Sequence, residues 1–272
     1  MLVVTLGLAA GQFLLGSADP SGTKLFLVAG ILTSLGVVPV ALIKIPTPRR
    51  PIPVEVSLGA LVKKAPLGVV AVALSGAAGS SILALGAVFA TNVGMAPGKV
   101  GLFMAASLAG AVVTQYPLGY LSDRFPRRRV ILVVAGGAVV AAVFAIPVAS
   151  DNGTLFVLMS LYGALAFPMY SLAVSHINDV IPEDQLVQTA AGIIFVFGIG
   201  SVVGPLTVSV AMTVFGPVGY LWGLAAFFLP VTVYALVRVV FRDRPIQRRF
   251  INLPHRSSTA AAMLADRSRE KR

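Results

Sequence analysis

The sequence has no cysteine, only two histidines, and charged side chains at just 11% of its 272 residues. The missing cysteine excludes a disulfide scaffold, a thiolate metal site and a cysteine nucleophile. Two histidines leave too few ligands for a catalytic metal centre, and no Walker loop, His-Glu metal spacing or G-x-S-x-G motif occurs. We therefore expect no cofactor, no metal and no enzymatic activity. Soluble domains carry about 25% charge and about 45–50% apolar residues. Here the apolar share is 57%. So few charges cannot cover the surface of a soluble domain, and so much apolar content excludes disorder.

What is present is a series of long apolar runs. They lie at Leu2–Gly16, Leu25–Ile43, Leu67–Thr91, Val100–Leu121, Val130–Ser150, Leu155–Ser175, Val187–Val214 and Tyr220–Val240. A membrane-spanning helix needs about 20 residues, whereas a barrel strand needs about 9–11 with alternating polarity. No alternation is seen, so the expected fold class is all-α, a polytopic transmembrane helical bundle of eight spans. The first run lacks a basic n-region, and reads as a span rather than a cleaved leader.

Charge gives the expected orientation. When sides alternate along eight spans, 19 of the 21 Lys and Arg fall on one side, and only Lys24 and Lys99 on the other. By the positive-inside rule the rich side is cytoplasmic, which puts both termini in the cytoplasm of an inner-membrane protein. The same count explains the net charge of +11. In the basic tail, residues 241–272, the stretch from Arg242 to Arg272 has no aromatic interleaving beyond Phe250, so we expect lipid and not nucleic acid as its neighbour.

The loop after the fourth run reads Gly119-Tyr120-Leu121-Ser122-Asp123-Arg124-Phe125-Pro126-Arg127-Arg128-Arg129. The plainer reading is a basic hairpin. Against it stands a lone Asp among four Arg, which the positive-inside rule does not require. Gly119 leaves room for tight helix contact. Asp123 suits a helix N-terminus, and the Arg residues can pair with acids on another loop of the same side.

This loop resembles the signature loop of the major facilitator superfamily, G-x-L-[SA]-D-R-x-G-R-[RK]-x-x-[IL]. Gly119, Leu121, Ser122, Asp123, Arg124, Arg127 and Arg128 match, and Pro126 replaces the second Gly. The resemblance implies a transporter that moves a small solute by alternating access, driven by a gradient. Its two halves each have six spans and are joined by a cytoplasmic linker. Matched to that plan, residues 1–44 are spans five and six, residues 45–66 the linker, and residues 67–240 spans seven to twelve. Twelve spans need roughly 380 residues at about 20 per span plus loops, so the chain reads as the last two-thirds of a larger transporter. The missing helices, if encoded separately, would be a partner alongside the solute and the bilayer. A G-x-x-x-G at Gly7–Gly11 and another at Gly200–Gly204 fall on spans that this register makes mates. The alternatives are a non-transporting fragment, or an unrelated eight-span channel or lipid-handling protein.

Other candidates follow from residue type. Gly119, Asp123, Arg124, Arg127 and Arg128 form the expected conformational latch. His176 and Asp179, three apart on one helix face, are its expected partners together with Glu183 and Asp184. Gly200, Gly204, Pro205 and Pro168 are hinge or packing positions, because proline frees a carbonyl and bends a helix. Ser80, Ser81, Gln115, Tyr162, Tyr170 and Ser171 are polar residues in apolar runs that could line a cavity or merely pack. No Lys, Arg, Asp or Glu lies well inside a run, so a buried acid for ion coupling is not found here.

Overall fold

The computed structural model describes residues 6–7, 11, 22–42, 58–182 and 185–241. Among them the structure is helical throughout: α1 (Lys24–Leu42), α2 (Leu58–Lys64), α3 (Pro66–Asn92), α4 (Pro97–Arg124), α5 (Arg127–Ala145), α6 (Asn152–Asn178), α7 (Leu186–Phe215) and α8 (Gly219–Phe241). Six of these, α3 to α8, are long and apolar enough to cross a membrane. The expectation of eight spans is therefore reached only to six among the described residues. The described apolar stretch of α1, Lys24–Pro39, is too short to qualify. The run Leu2–Gly16 and the tail from residue 242 lie almost or wholly outside the described residues.

Chain chemistry explains the helix ends. Prolines open α3 and α4, where a missing N–H costs nothing. The connections that follow α3 and α7 use Gly94 at φ 80° and Gly216 at φ 70°, a region closed to most side chains. Asp151 caps α6: its carboxylate accepts from the Thr154 hydroxyl and the Gly153 amide. The Thr154 bond, followed by the Gly153 bond, holds its carboxyl below the usual range.

The helices alternate in direction, which gathers the Arg-rich loop, the C-terminus of α6 and the N-terminus of α7 at one end, here the basic end. The principal pairs are α3 with α7, α4 with α6, and α5 with α8. This pattern is that of two inverted triplets, α3–α5 and α6–α8. It holds at residue level. Where α4 crosses α6, a methyl group on Gly110 would run into the Ser160 carbonyl, and one on Gly163 into the Ser107 carbonyl. Where α3 crosses α7, a methyl on Gly76 would strike the Phe197 carbonyl, and one on Gly200 the Ala73 carbonyl. In all four cases the carbonyl on each helix lies three residues before its own glycine. Four residues further on, Gly204 meets the Ala77 backbone, and Thr114 takes the equivalent place opposite Ala164.

That last position is where the two crossings differ. Pro168 has no N–H, so the Ala164 carbonyl loses its helical donor. The Thr114 hydroxyl, reaching across from α4, donates to it instead. Its own-helix alternative, the Gly110 carbonyl, is 3.0 Å away. In the other crossing Ser81 stands where Pro168 stands here, and its hydroxyl returns 2.7 Å to the Ala77 carbonyl of its own helix.

Between the crossings lies a core of small and aromatic side chains. Ala135, Ala138 and Ala142 on α5 are fully buried, as are Leu224, Phe228 and Val231 on α8. At the end away from the basic loop, Phe89 stacks on Tyr220 at 4.6 Å and packs toward Phe103, whose ring meets the edge of Phe156. Outward, α7 presents Ile194, Ile199, Val202, Leu206 and Val210, each more than half exposed. Such a surface suits lipid and not water.

Two outcomes are expected for purified protein, read as the temperature at which the monodisperse elution peak is lost. Gly200→Ala lowers stability by about 1–3 kcal/mol through overpacking. Gly198→Ala, where a methyl meets nothing within 4 Å, is neutral or gains up to about 1 kcal/mol. For the second test, Thr114→Val costs about 0.6–2 kcal/mol, as interhelical hydrogen bonds in membranes do. That cost shrinks in a Pro168→Ala background, where the helix regains its own donor. Equal costs in both backgrounds would show that the two residues act separately.

Candidate functional site

The basic end is organised around Arg127. It opens α5, with only Phe125 and Pro126 between it and the end of α4, so this short turn places its guanidinium against both neighbouring helices. Its Nε donates to Asp179 Oδ2 at 2.6 Å, its Nη1 to Ser122 Oγ at 3.0 Å, and its Nη2 to Asp123 Oδ1 at 3.2 Å. One side chain thus joins α4, α5 and the residue that ends α6. The fork of donors on a guanidinium is what permits this, and a lysine could not reproduce it. The arms differ in strength. Arg127 is 16% exposed and Asp179 35%, whereas Asp123 is 66% exposed. Exposed pairs contribute about 0–1 kcal/mol, so the Asp179 arm is the stronger contact and the Asp123 arm the looser one.

Around this centre the other expected latch residues take distinct places. The Arg124 guanidinium lies over the Tyr120 ring, 4.2 Å from its centroid. Arg128 is half-buried. A methyl on Gly119 would meet nothing within 4 Å, so the tight helix contact expected there is not made by any described residue. His176 is buried at the same end, within Coulomb reach of Arg128, Arg127 and Arg238. Arg238 in turn donates to the Tyr234 hydroxyl on its own helix at 2.7 and 3.1 Å. Glu183 and Asp184 lie outside the described residues.

The residues expected to hinge or pack are divided by the structure. Gly200 and Gly204 face the α3 backbone directly. Pro168 and Pro205 sit inside helices that continue through them. Of the residues weighed as cavity lining, Tyr162 is fully buried and donates to the Leu224 carbonyl at 3.1 Å, tying α6 to α8. Ser81 is fully buried against its own helix, and Ser80 donates to the Gly76 carbonyl at 2.8 Å. Each of these three hydroxyls has a backbone acceptor, as an apolar interior requires, and Ser80 is only half-buried. Tyr170 sets its ring edge-on to Phe197 at 4.9 Å. Ser171 is half-buried with a hydroxyl that lacks a hydrogen bond. Gln115 is half-buried on α4.

Several contributors were not read from the sequence. Thr114 could have been found by asking which donor reaches the carbonyl four residues before Pro168. Gly110 and Gly163 share small-residue spacing with Gly76 and Gly200, but only the crossing shows them facing backbone. The Lys64–Gln185 contact, 3.1 Å, joins residues remote in sequence and carries no local signal.

Comparison with known proteins agrees with the signature loop. The sequence profile of the Major Facilitator Superfamily matches residues 67–267. Proteins named uncharacterized MFS-type transporter YcaD, from Salmonella arizonae and Salmonella newport, are each 27% identical over 210 residues, covering 75% of this chain and 53% of the relative. The chain therefore spans about half the length of the curated relatives it matches. No solved structure matches it. An unrelated channel or lipid-handling protein is not favoured by these matches. The six long apolar helices, the loop built on Arg127 and the family match lead to one statement: this chain is an integral membrane protein that belongs to the Major Facilitator Superfamily.

Proposed function

We propose that the chain works in secondary active transport, moving a small solute across the cytoplasmic membrane by alternating access. Its basic end faces the cytoplasm, and α3 to α8 are spans seven to twelve of a twelve-span transporter. One observation carries the reading: the signature-loop Arg127 bridges Ser122 and Asp123 to Asp179 across three helices. A latch of this kind holds the basic ends of α4, α5 and α6 together in one conformation. Its looser Asp123 arm can be exchanged as the end opens. Gly119 leaves an open face beside it, which suits contact with the other half.

The charge distribution supports the orientation, since 19 of 21 Lys and Arg fall on one side when eight spans are counted. The family moves solutes on gradients, and nothing in the sequence suits nucleotide hydrolysis. Because the chain covers about half of its relatives, the activity belongs to the whole transporter, and the remaining helices are the partner required.

The test is uptake and efflux of candidate solutes in proteoliposomes that hold the complete transporter, with and without a protonophore. Gradient-dependent, nucleotide-independent flux is expected. Asp179→Asn and Asp123→Asn should each lower it, the former by roughly tenfold, which corresponds to a coupling of about 1.4 kcal/mol. Arg127→Asp and Asp179→Arg should each be defective and recover part of the flux when combined. A double swap that restores nothing, or an Asp123→Asn form that transports like the parent, would sink the latch.

A further inference from the structure

The short helix α2 has a place in the fold that its sequence does not announce. It precedes α3, and the second triplet has no equivalent before α6. Inverted symmetry would pair α6 with α7 as it pairs α3 with α4. Yet the α6–α7 backbones make at most marginal contact. At the basic end the gap between them is filled by α2, which packs on α3 and α7. Leu61, 2% exposed, closes an apolar hollow with Val69 and Val72 of α3, Ile177 of α6, and Ile193 and Val196 of α7. The hollow is too tight to admit water.

The attachment is slight for such a position. Seven residues cannot hold a helix by themselves, so α2 is helical because it is docked. Among the described residues, α2 further sets Leu58 and Leu61 against Gly192, where a methyl would be 3.4 Å from each, and its Lys64 ammonium donates to the Gln185 amide oxygen at 3.1 Å. One turn before Gly192 on the same stripe of α7, the Gln188 amide oxygen is buried without a hydrogen bond. A buried acceptor with no partner carries a desolvation cost, so this stripe of α7 is not a fully satisfied seat. Elements that move are drawn from such weakly held parts of a structure.

We propose that α2 is a removable stopper: Leu61 seals the basic end between α6 and α7, and α2 must leave for that end to open. The proposal rests on the alternating-access reading above. It makes the segment ahead of α3 a working part of the gate and not a passive tether.

The chain has no cysteine, so introduced thiols can be read singly. The protein is reconstituted in proteoliposomes and labelled with a membrane-impermeant maleimide. Ile177→Cys reports the basic end, Met95→Cys the far end, and Lys63→Cys serves as the exposed control. Ile177→Cys should label far more slowly than Lys63→Cys. Leu61→Ala should raise its rate roughly tenfold or more, the scale on which Leu-to-Ala changes shift packed sites. Leu61→Met should stay close to the parent. Locking the stopper by oxidising a Leu58→Cys, Gly192→Cys pair should silence Ile177→Cys and speed Met95→Cys.

The proposal is overturned if Leu61→Ala leaves Ile177→Cys unchanged, or if the locked chain labels there as fast as the reduced one. If the lock silences Ile177→Cys but does not move Met95→Cys, the stopper stands and alternating access falls. If Asp123→Asn shifts the two reporters in opposite directions while the lock affects neither, alternating access stands and the stopper falls. Should Leu61→Ala fail to elute as folded protein, the lock alone decides, because it leaves Leu61 in place.

Discussion

Backbone-to-backbone approach at two helix crossings is the constraint on which the rest of this six-helix unit depends. Lipid tails are as apolar as leucine, so burying an apolar side chain between helices gains little over leaving it in the bilayer. Association then rests on contact and on hydrogen bonds. Gly110 with Gly163, and Gly76 with Gly200, bring carbonyls of one helix against the Cα of the other. The same step of three residues recurs in every arm. Two inverted triplets are joined by one geometry used twice, and the aromatic and alanine core fills the space this geometry leaves.

From that frame the basic end inherits its positions. Arg127 can touch Ser122, Asp123 and Asp179 only because α4 and α6 are already held at Gly110 and Gly163, some turns away. The Thr114 bond to the Ala164 carbonyl lies between the crossing and the charges. It repairs the gap that Pro168 makes, and thereby fixes the direction in which the basic half of α6, with His176 and Asp179, is aimed. The family signature names the charges. The α4–α6 seam sets where they meet.

Much of this was legible in the sequence, and the limits have physical causes. Apolar runs placed α3 to α8 within a few residues: Leu67–Thr91 became Pro66–Asn92, and Tyr220–Val240 became Gly219–Phe241. Spans are long and their composition is strongly constrained, so hydropathy finds them. Helix α2 was read as part of a linker, because what makes it helical is Leu61 docking on α3, α6 and α7, and no local pattern encodes that. The signature loop pointed to Arg127, and the His176–Asp179 spacing to Asp179, since their type and membrane side could be read off the chain. It could not show that Gly119 opens onto space, because the room a glycine leaves has no direction until a neighbour is placed. Tyr162 and Ser81, weighed as cavity lining, are fully buried with backbone acceptors. A hydroxyl in an apolar run signals only that an acceptor is needed, and here the acceptors are backbone carbonyls.

The two ends of the unit are closed by different materials. At the basic end the ion pairs of Arg127, with Asp123 largely in water, stand beside the apolar contact of Leu61, and exposed charges farther apart than a Debye length of about 8 Å are screened at physiological salt. At the far end it is Phe89, Tyr220, Phe103 and Phe156, rings whose stacking takes no part in screening. Ionic strength therefore acts on one end and passes over the other. The molecule carries an asymmetry of response as well as of charge: salt on the side of the Arg cluster loosens the exposed Asp123 arm, while the aromatic stack at the opposite end is deaf to it.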